Sequence, residues 1–180
     1  MSTINFELVS QDVENQNFDC GIDSINKYVR ESYYTLLVQH AYTFSIVYNT
    51  IILGYIQILF RDVTLDYFPE NISDYDPEIK NSTLSALHIR FIAIDKQYQK
   101  KNIGTVAMNV MIKRAEDLAL QWPIRLITID ARKELVEWYK KIGFHEMMIN
   151  SPGQDGVTVA MYYDCMKYSE QLSRYCSENV

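Results

Sequence analysis

The N-terminal third of the chain alternates apolar and polar positions in a way that predicts three strands around one helix. Apolar positions over residues 25–36 follow helical spacing and predict a helix that Asp19 or Asp23 caps. Asn49 and Thr50 separate two strongly strand-like runs and so predict a hairpin. The predicted strands are residues 4–9, 42–48 and 51–60.

The rest of the chain predicts strands and helices in alternation after one long polar segment. Residues 61–85 carry two prolines and six acids with few regular apolar positions, so they predict a long loop with at most one short helix. The predicted strands are residues 86–94, 124–129, 144–150 and 157–163. The predicted helices are residues 105–120, 134–141 and 166–175. Without repeats or low-complexity tracts, this pattern predicts one domain over residues 1–180.

Composition supports a packed globular protein of the reducing cytoplasm. Hydrophobic residues make up 48% of the 180, and glycine (6) and proline (4) are scarce. Cys20, Cys165 and Cys176 are odd in number and widely spaced, which disfavours a zinc site or a disulfide framework. The N-terminus lacks a basic segment followed by an apolar run, and the longest apolar run is too short to span a bilayer. We therefore expect a cytoplasmic protein that does not enter membranes.

Charge is unevenly distributed along the chain. Residues 96–141 carry ten basic and five acidic residues, a net +5, so the remainder carries −11 of the total of −6. The basic part would attract an anionic ligand, whereas the remainder suits a cationic acceptor better than a polyanion. Solvated faces that happen to segregate are the alternative.

The stretch LHIRFIAIDKQYQKKNIGT, residues 87–105, joins an apolar strand to a basic turn that ends in glycine. A long helix follows the turn, and the free backbone N–H groups at a helix start attract phosphate or pyrophosphate. Two lysines in the turn add charge of the right sign. A solvated βα-turn is the alternative interpretation, since short motifs match by accident.

This stretch resembles the acyl-coenzyme A loop of the GNAT superfamily of N-acetyltransferases, Gln/Arg-x-x-Gly-x-Gly/Ala after an apolar strand. Gln99, Gly104 and the run Ile92-Ala93-Ile94-Asp95 match that pattern, while Asn102 stands at the first glycine. Asparagine is the non-glycine residue that best tolerates a positive φ. A second motif follows about thirty-five residues later. Asp130-Ala131 and then WYKKIGF, residues 138–144, resemble the family's strand end followed by Phe-Tyr-x-x-x-Gly-Phe.

The resemblance implies an α+β fold, a mixed twisted sheet of six to seven strands with helices on both faces, and acetyl-CoA as co-substrate. It implies pantetheine contacts along Ile92, Ala93 and Ile94. Arg132 falls near a position where many members have an asparagine that contacts the cofactor arm. The implied pyrophosphate cradle consists of Gln99, Lys100, Lys101, Asn102, Ile103, Gly104 and Thr105.

Tyr139 matches the tyrosine that in many members protonates the departing coenzyme A thiolate. A phenol is protonated at neutral pH and can donate to the developing charge on sulfur. A core aromatic with a satisfied hydroxyl is the alternative. His88 shares strand parity with Ile92 and Ile94 and is the candidate base. A structural histidine, an ordered water, or an amine that arrives neutral would also fit.

The acceptor is left open by the residues themselves. FDCG, residues 18–21, followed by INKY, residues 25–28, resembles the opening of the GNAT branch that contains toxins acetylating aminoacyl-tRNA. The acidity of the chain argues against RNA. We therefore expect transfer to a primary amine of a small molecule or peptide, with aminoacyl-tRNA as the named alternative and a non-catalytic acyl-CoA-binding domain as a third. A homodimer that joins basic patches is also open.

Overall fold

The computed structural model describes residues 4–15, 17–64, 68, 83–148, 158–166 and 177. Seven strands form one mixed sheet in the order β1-β2-β3-β4-β5-β7-β6, and the helices complete an α+β fold. This confirms the predicted fold class. The strands are β1 (Asn5–Leu8), β2 (Tyr42–Tyr48), β3 (Ile51–Thr64), β4 (Thr83–Ile94), β5 (Leu126–Arg132), β6 (His145–Glu146) and β7 (Thr158–Asp164).

Four α-helices lie in the described part of the chain: α1 (Asp23–Arg30), α2 (Ser32–Leu37), α3 (Ile103–Ala119) and α4 (Val136–Lys141). Short 3-10 turns occupy Gln11–Asn15, Lys96–Tyr98 and Lys133–Leu135. No helix among the described residues is both long enough and apolar enough to cross a membrane. The helix predicted over 166–175 falls almost wholly outside the described residues.

The chain forms two compact units, the first made of residues 1–59 and 89–111 and the second of residues 60–88 and 112–180. In the first unit, β1, β2 and the start of β3 pair antiparallel. Asn49 (φ 47°) and Thr50 (φ 70°) both adopt the left-handed conformation, as a two-residue type I′ hairpin requires. The predicted hairpin is therefore confirmed. The core of this unit is built from Val9, Val13, Cys20, Val29, Tyr55, Phe91 and Ala93.

Gly54 marks a bulge in β3 and a close approach between strands. Ile46 pairs with Gly54 but Val47 pairs with Ile52, so Leu53 is the extra residue. A Cβ on Gly54 would lie 2.1 Å from the carbonyl oxygen of Ala93. The missing side chain thus permits both features, the bulge and the close approach of a neighbouring backbone.

The second unit is built around β5, which pairs antiparallel with β7. Arg125 and Asp164 close one end of this pair through an ion pair of 3.0 Å, with both side chains mostly buried. The core of the unit consists of Val63, Phe68, Ala86, Leu126, Met147, Ala160 and Tyr162.

Two helix predictions need correction. The helix predicted over 25–36 is two helices that meet at Glu31, whose φ of −85° and ψ of 0° break the regular turn. The predicted cap is also wrong. The N-cap of α1 is Ile22, which makes no side-chain cap hydrogen bond. Neither predicted residue caps the helix, because the side chain of Asp19 bonds other groups and Asp23 is already the first helical residue.

Strand ends also differ from the predictions. β3 continues to Thr64 and β4 begins at Thr83, so the ends of the predicted loop 61–85 are strand. Alternating burial extends into these ends, where Val63 and Ala86 are core residues, and the prolines and acids of the middle obscured it. β6 is only two residues long, whereas a strand over 144–150 was expected. Of that expected strand, residues 149 and 150 lie outside the described residues.

Candidate active site

The loop between β4 and α3 adopts the conformation that an anion cradle needs. Lys100 (φ 60°) and Asn102 (φ 61°) are both left-handed. The N–H of Val106 donates to the carbonyl of Asn102 at 3.2 Å, so the amides of Ile103, Gly104 and Thr105 precede the first intrahelical bond. Alternation of left-handed and ordinary residues turns successive N–H groups toward one side and forms an anion-binding concavity.

The two loop lysines are held differently. Lys101 Nζ donates to the carbonyl of Gln97 at 3.0 Å and lies 5.5 Å from the centre of the Tyr98 ring. Its charge is thus fixed against its own loop. Lys100 has a left-handed backbone and an exposed side chain, and no described residue pairs with its ammonium.

Gln99 does not turn its amide toward the cradle. Its Nε2 donates to the carbonyl of Ile94 and to the carbonyl of Cys20, each at 2.9 Å. Both side-chain hydrogens are therefore used to hold the loop against the end of β4 and against the segment before α1. The side chain of Gln99 thus anchors the loop, and its place in the cradle stays a prediction.

The same attachment continues in a group that we call the Asp19 clasp: Asp19, Gly21, Asn26 and Lys96. Asp19 pairs with Lys96 Nζ at 2.7 Å and accepts from the N–H of Gly21 at 2.8 Å and from Asn26 Nδ2 at 2.9 Å. The hydrogen bond from Lys96, followed by those from Asn26 and Gly21, lowers the pKa of Asp19 to about 2. Gly21 (φ +90°) approaches the Lys96 side chain so closely that a Cβ would lie 3.0 Å from Cε.

The clasp explains the motif before α1. The backbone of Lys96 also donates to the carbonyl of Asp19 at 2.9 Å, and the backbone of Asp19 donates to Asp95 Oδ2 at 3.2 Å. Residues 19–26, which resembled a family opening, thus attach to the residues that start the loop. The sequence showed the motif but not this contact, because the two segments are separated by 76 residues.

The end of β4 offers two side-chain faces. Phe91 and Ala93 point into the core of the first unit, and Ala93 is 5% exposed. Ile92 and Ile94 lie on the opposite face and are half-buried. The strand predicted to align pantetheine therefore has an accessible face that ends at the loop.

In the second unit, Tyr139 lies at the middle of α4 and is 3% exposed. Its ring meets Trp138 and Phe144 edge to face, with centroids 4.6 and 5.5 Å away. Burial raises the pKa of Tyr139. Among the described residues, none forms a hydrogen bond with the Tyr139 hydroxyl. These residues therefore do not support the alternative interpretation, a core tyrosine whose hydroxyl is hydrogen-bonded.

A Schellman motif fixes the position of Tyr139. The N–H of Phe144 donates to the carbonyl of Tyr139 at 3.1 Å, and the N–H of Gly143 donates to that of Lys140 at 3.0 Å. Gly143 has φ +97°, the left-handed conformation that glycine adopts readily after the end of a helix. A Cβ there would also lie 3.1 Å from the Tyr163 ring.

His88 is 6% exposed and belongs to a row of polar groups in the second unit. Its Nδ1 lies 3.1 Å from Thr128 Oγ1, and its Nε2 lies 3.9 Å from Asp130 Oδ2. Asp130 Oδ1 and Arg61 Nε are buried without a hydrogen-bond partner among the described residues. Burial lowers the pKa of Arg61, and the negative charge of Asp130 opposes that effect.

Sequence reasoning missed the partners of His88. Thr128 and Asp130 are polar positions on one face of the otherwise apolar strand LITID, and that alternation was the available signal. Arg132, further along β5, pairs with Glu134 at 2.5 Å. Its guanidinium is thus already partnered by a carboxylate two residues away.

Comparison with known proteins identifies the fold family. Residues 75–163, about half of the chain, match the family model described as an acetyltransferase (GNAT) domain. The chain carries a GNAT acetyltransferase domain. It is therefore an acyltransferase, and the resemblance found in its two motifs is confirmed. No curated protein matches the sequence significantly.

Solved structures share the fold of this GNAT domain at low sequence identity. AtaT complexed with acetyl-methionyl-tRNAfMet is 17% identical with a TM-score of 0.75, and the alignment covers 94% of this chain and 99% of that one. A tyrosine-to-phenylalanine mutant of KacT is 16% identical with a TM-score of 0.76 and the same coverage. AtaTR bound with AcCoA is 19% identical with a TM-score of 0.66, covering 91% and 94%.

Proposed function

We propose that the GNAT domain transfers an acetyl group from acetyl-CoA to the primary amine of an aminoacyl-tRNA. The observation that carries the cofactor assignment is the left-handed pair Lys100 and Asn102 directly before α3. This turn presents the amides of Ile103, Gly104 and Thr105 to an anion, and the pyrophosphate of coenzyme A is the anion that a GNAT domain binds.

In this proposal, pantetheine lies along Ile92, Ala93 and Ile94, where the strand offers main-chain groups beside an accessible face. Lys100 adds an exposed positive charge to the cradle, and Lys101 contributes one that is bonded to the loop carbonyl of Gln97. Gln99 positions the cradle through its two carbonyl contacts. Arg132 would contact the cofactor arm while its guanidinium is also paired with Glu134.

Tyr139 is the proposed general acid. The amine attacks the thioester carbonyl to form a tetrahedral intermediate, and the carbon–sulfur bond then breaks to release the acetylated amine and coenzyme A. Sulfur receives a proton from Tyr139, the base takes the proton lost by the amine, and exchange with solvent restores both groups. A buried phenol is held in its protonated form, as its raised pKa indicates, so it can donate to the developing thiolate. Among the described residues, no acceptor competes with the thiolate for the proton of this hydroxyl.

His88 is the proposed base that takes the proton from the amine. Thr128 at 3.1 Å and Asp130 at 3.9 Å can orient the ring, and the nearby carboxylate stabilises the imidazolium that would form. A water between His88 and the amine would serve the same purpose, because the ring is largely buried.

The choice of acceptor rests on the structural neighbours and on the Asp19 clasp. AtaT, whose structure was solved in complex with acetyl-methionyl-tRNAfMet, shares its fold with 94% of this chain. The motif shared with the toxin-like branch is built into the loop attachment. A small amine or basic peptide is the second candidate, favoured by the net charge of −6. The reaction with aminoacyl-tRNA would take place in the cytoplasm.

Calorimetry with acetyl-CoA and a thiol-release assay with aminoacyl-tRNA test this proposal directly. We expect Tyr139→Phe to bind acetyl-CoA as the wild type does and to lower kcat about 100-fold or more, because proton donation contributes about 10²–10⁴ in rate. His88→Gln should lower the rate and remove the fall in rate on the acid side of the pH profile, because a general base acts only in its deprotonated form. Expression of the wild type, but not of Tyr139→Phe, should arrest a bacterial host.

Distinct results would reject each part. Absence of acetyl-CoA binding would remove both the enzyme and the regulatory interpretation. Binding without turnover on any amine would favour a non-catalytic acyl-CoA sensor. Turnover with polyamines or basic peptides but not with aminoacyl-tRNA would select the second acceptor class. Full activity of Tyr139→Phe would reject its role alone.

A further inference from the structure

Arg90 is an exposed cation in the first unit that is held by neutral groups. Its Nη1 donates to Gln57 Oε1 at 3.3 Å, and its Nη2 lies 3.4 Å from His40 Nε2. Its guanidinium carbon lies 5.7 Å from the centre of the Tyr28 ring. Three elements, β3, the segment before β2, and α1, thus converge on one side chain of β4.

The support behind Arg90 is rigid because Gln57 is itself fixed. Gln57 is fully buried and donates through Nε2 to Thr43 Oγ1 at 2.8 Å and, more weakly, to Thr35 Oγ1 at 3.4 Å. Its carbonyl oxygen is therefore directed at Arg90. A buried polar network that is satisfied in this way restricts the side chain that it touches.

No carboxylate among the described residues pairs with Arg90. Arg125 and Arg132, in contrast, pair with Asp164 and Glu134. A glutamate at position 57 would have the same shape as Gln57 and would neutralise the guanidinium, yet the chain has the amide there. The charge of Arg90 is thus positioned, and no carboxylate of the described residues neutralises it, which is the state that favours an anionic ligand.

The remaining donors match a phosphate. A guanidinium has five N–H donors, and the contacts to Gln57 and His40 occupy two of them. The others form a planar fork suited to two phosphate oxygens. Tyr28 is 46% exposed beside it and offers a ring on which a base can stack.

Position along β4 links this group to the reaction. Arg90 shares strand parity with Ile92 and Ile94, the proposed pantetheine residues, and at about 3.3 Å per residue it lies about 7 Å from Ile92. We propose that Arg90, held by Gln57, His40 and Tyr28, binds a backbone phosphate at the 3′ end of the tRNA acceptor. This inference rests on the proposed function, since the amine to be acetylated is carried at that end.

The test measures binding of deacylated tRNA over a salt series, which requires no catalysis. Arg90→Gln should weaken binding about tenfold and reduce the slope of log K against log salt by about 0.7, as expected for one lost phosphate contact to a single strand. Gln57→Glu, which places a carboxylate against the guanidinium, should produce the same two changes. Arg90→Lys should keep the salt slope and lose part of the affinity, because the charge remains without the fork.

Lys113→Gln is the matched control, since Lys113 is exposed but already pairs with Asp117 at 2.9 Å. We expect it to leave tRNA binding unchanged. Acetyl-CoA affinity and the melting temperature should stay at the wild-type level in the Arg90 and Lys113 variants and so confirm that they are folded. Gln57→Glu loses the hydrogen bonds that Gln57 donates to Thr43 and Thr35, so its melting temperature should fall, and its acetyl-CoA affinity shows that it is folded. Unaltered tRNA binding in Arg90→Gln, or an equal loss in Lys113→Gln, would overturn the phosphate site.

The outcomes separate this proposal from the proposed function. If acetyl-CoA binds and aminoacyl-tRNA is acetylated while Arg90→Gln has no effect, only the phosphate site fails. If the wild type binds no tRNA but acetylates small amines, the phosphate site and the tRNA acceptor fail together and the acyltransferase stands. If weaker binding in Arg90→Gln comes with an unchanged salt slope, Arg90 is structural and the proposal is wrong.

Discussion

Asn102 is in a left-handed conformation that costs most L residues about 1–2 kcal/mol. Asparagine reduces that cost because its short polar side chain tolerates this region, so the loop keeps its shape where the family pattern has glycine. The residue type and the backbone angle thus agree, although the family's consensus residue is missing.

Replacing Asn102 tests how much the loop depends on this angle. Asn102→Gly should leave the free energy of unfolding nearly unchanged and keep acetyl-CoA affinity within about twofold, because glycine adopts the same φ without strain. Asn102→Ala should cost about 1 kcal/mol and weaken acetyl-CoA binding, since alanine disfavours φ 61°. Denaturant unfolding and calorimetry measure the two quantities. Tighter binding by Asn102→Ala than by Asn102→Gly would contradict this account.

At the scale of elements, the Asp19 clasp joins the start of α1 to the residues that lead into the cofactor loop. Lys96, Asp95 and Gln99 each contact the segment 19–21, through three hydrogen bonds and one ion pair that involve side chains or backbone. The loop residues form few of the regular backbone hydrogen bonds of helices and strands. These contacts with the clasp therefore fix the position of the loop.

Removal of the clasp charge should therefore affect both binding and acid stability. Asp19→Asn should weaken acetyl-CoA binding about 2–5-fold, within the range for an exposed ion pair, although Asp19 is not a cofactor residue. The lowered pKa of Asp19 means that its stabilisation is complete above about pH 4 and is lost as the pH falls toward about 2. The free energies of unfolding of the wild type and Asp19→Asn should thus differ at neutral pH and converge near pH 2.

Asp117→Asn is the control for this experiment, because Asp117 forms an exposed ion pair of 2.9 Å with Lys113 on α3. It should leave acetyl-CoA affinity unchanged. An equal loss of affinity in both variants would show that general charge, and not the clasp, supports the loop.

At the scale of the whole molecule, three elements run through both compact units, and this predicts cooperative unfolding. β3, β4 and α3 each contribute residues to both compact units, so neither unit can lose its strands without shortening those of the other. A single domain over residues 1–180 remains our prediction, as does the homodimer.

Two probes in denaturant test this cooperativity. Trp122 and Trp138 are the two tryptophans of the chain and both belong to the second unit, whereas far-ultraviolet circular dichroism reports on all elements. The two transitions should coincide with equal midpoints and equal m-values. Fluorescence and dichroism midpoints that separate clearly would indicate two domains.

Short windows of the sequence were enough to predict most of the elements and the family. Hydrophobic periodicity predicted the strands, Asn49 and Thr50 marked a hairpin turn, and the two motifs around Gly104 and Tyr139 indicated a GNAT domain. These features are local, since a short window contains everything that sets them. The broken helix at Glu31 and the strand ends at Thr64 and Thr83 escaped it, because burial there depends on distant neighbours.

Only the tertiary structure decided what the polar side chains do. Gln99 bonds the carbonyl of Cys20, Asp19 pairs with Lys96, and Arg90 is held by Gln57, across separations of 79, 77 and 33 residues. A hydrogen bond depends on distances and angles within a few tenths of an ångström, and no periodicity encodes these across such separations. For the same reason, only the fold showed that Arg90 is held by neutral side chains and has no carboxylate partner among the described residues.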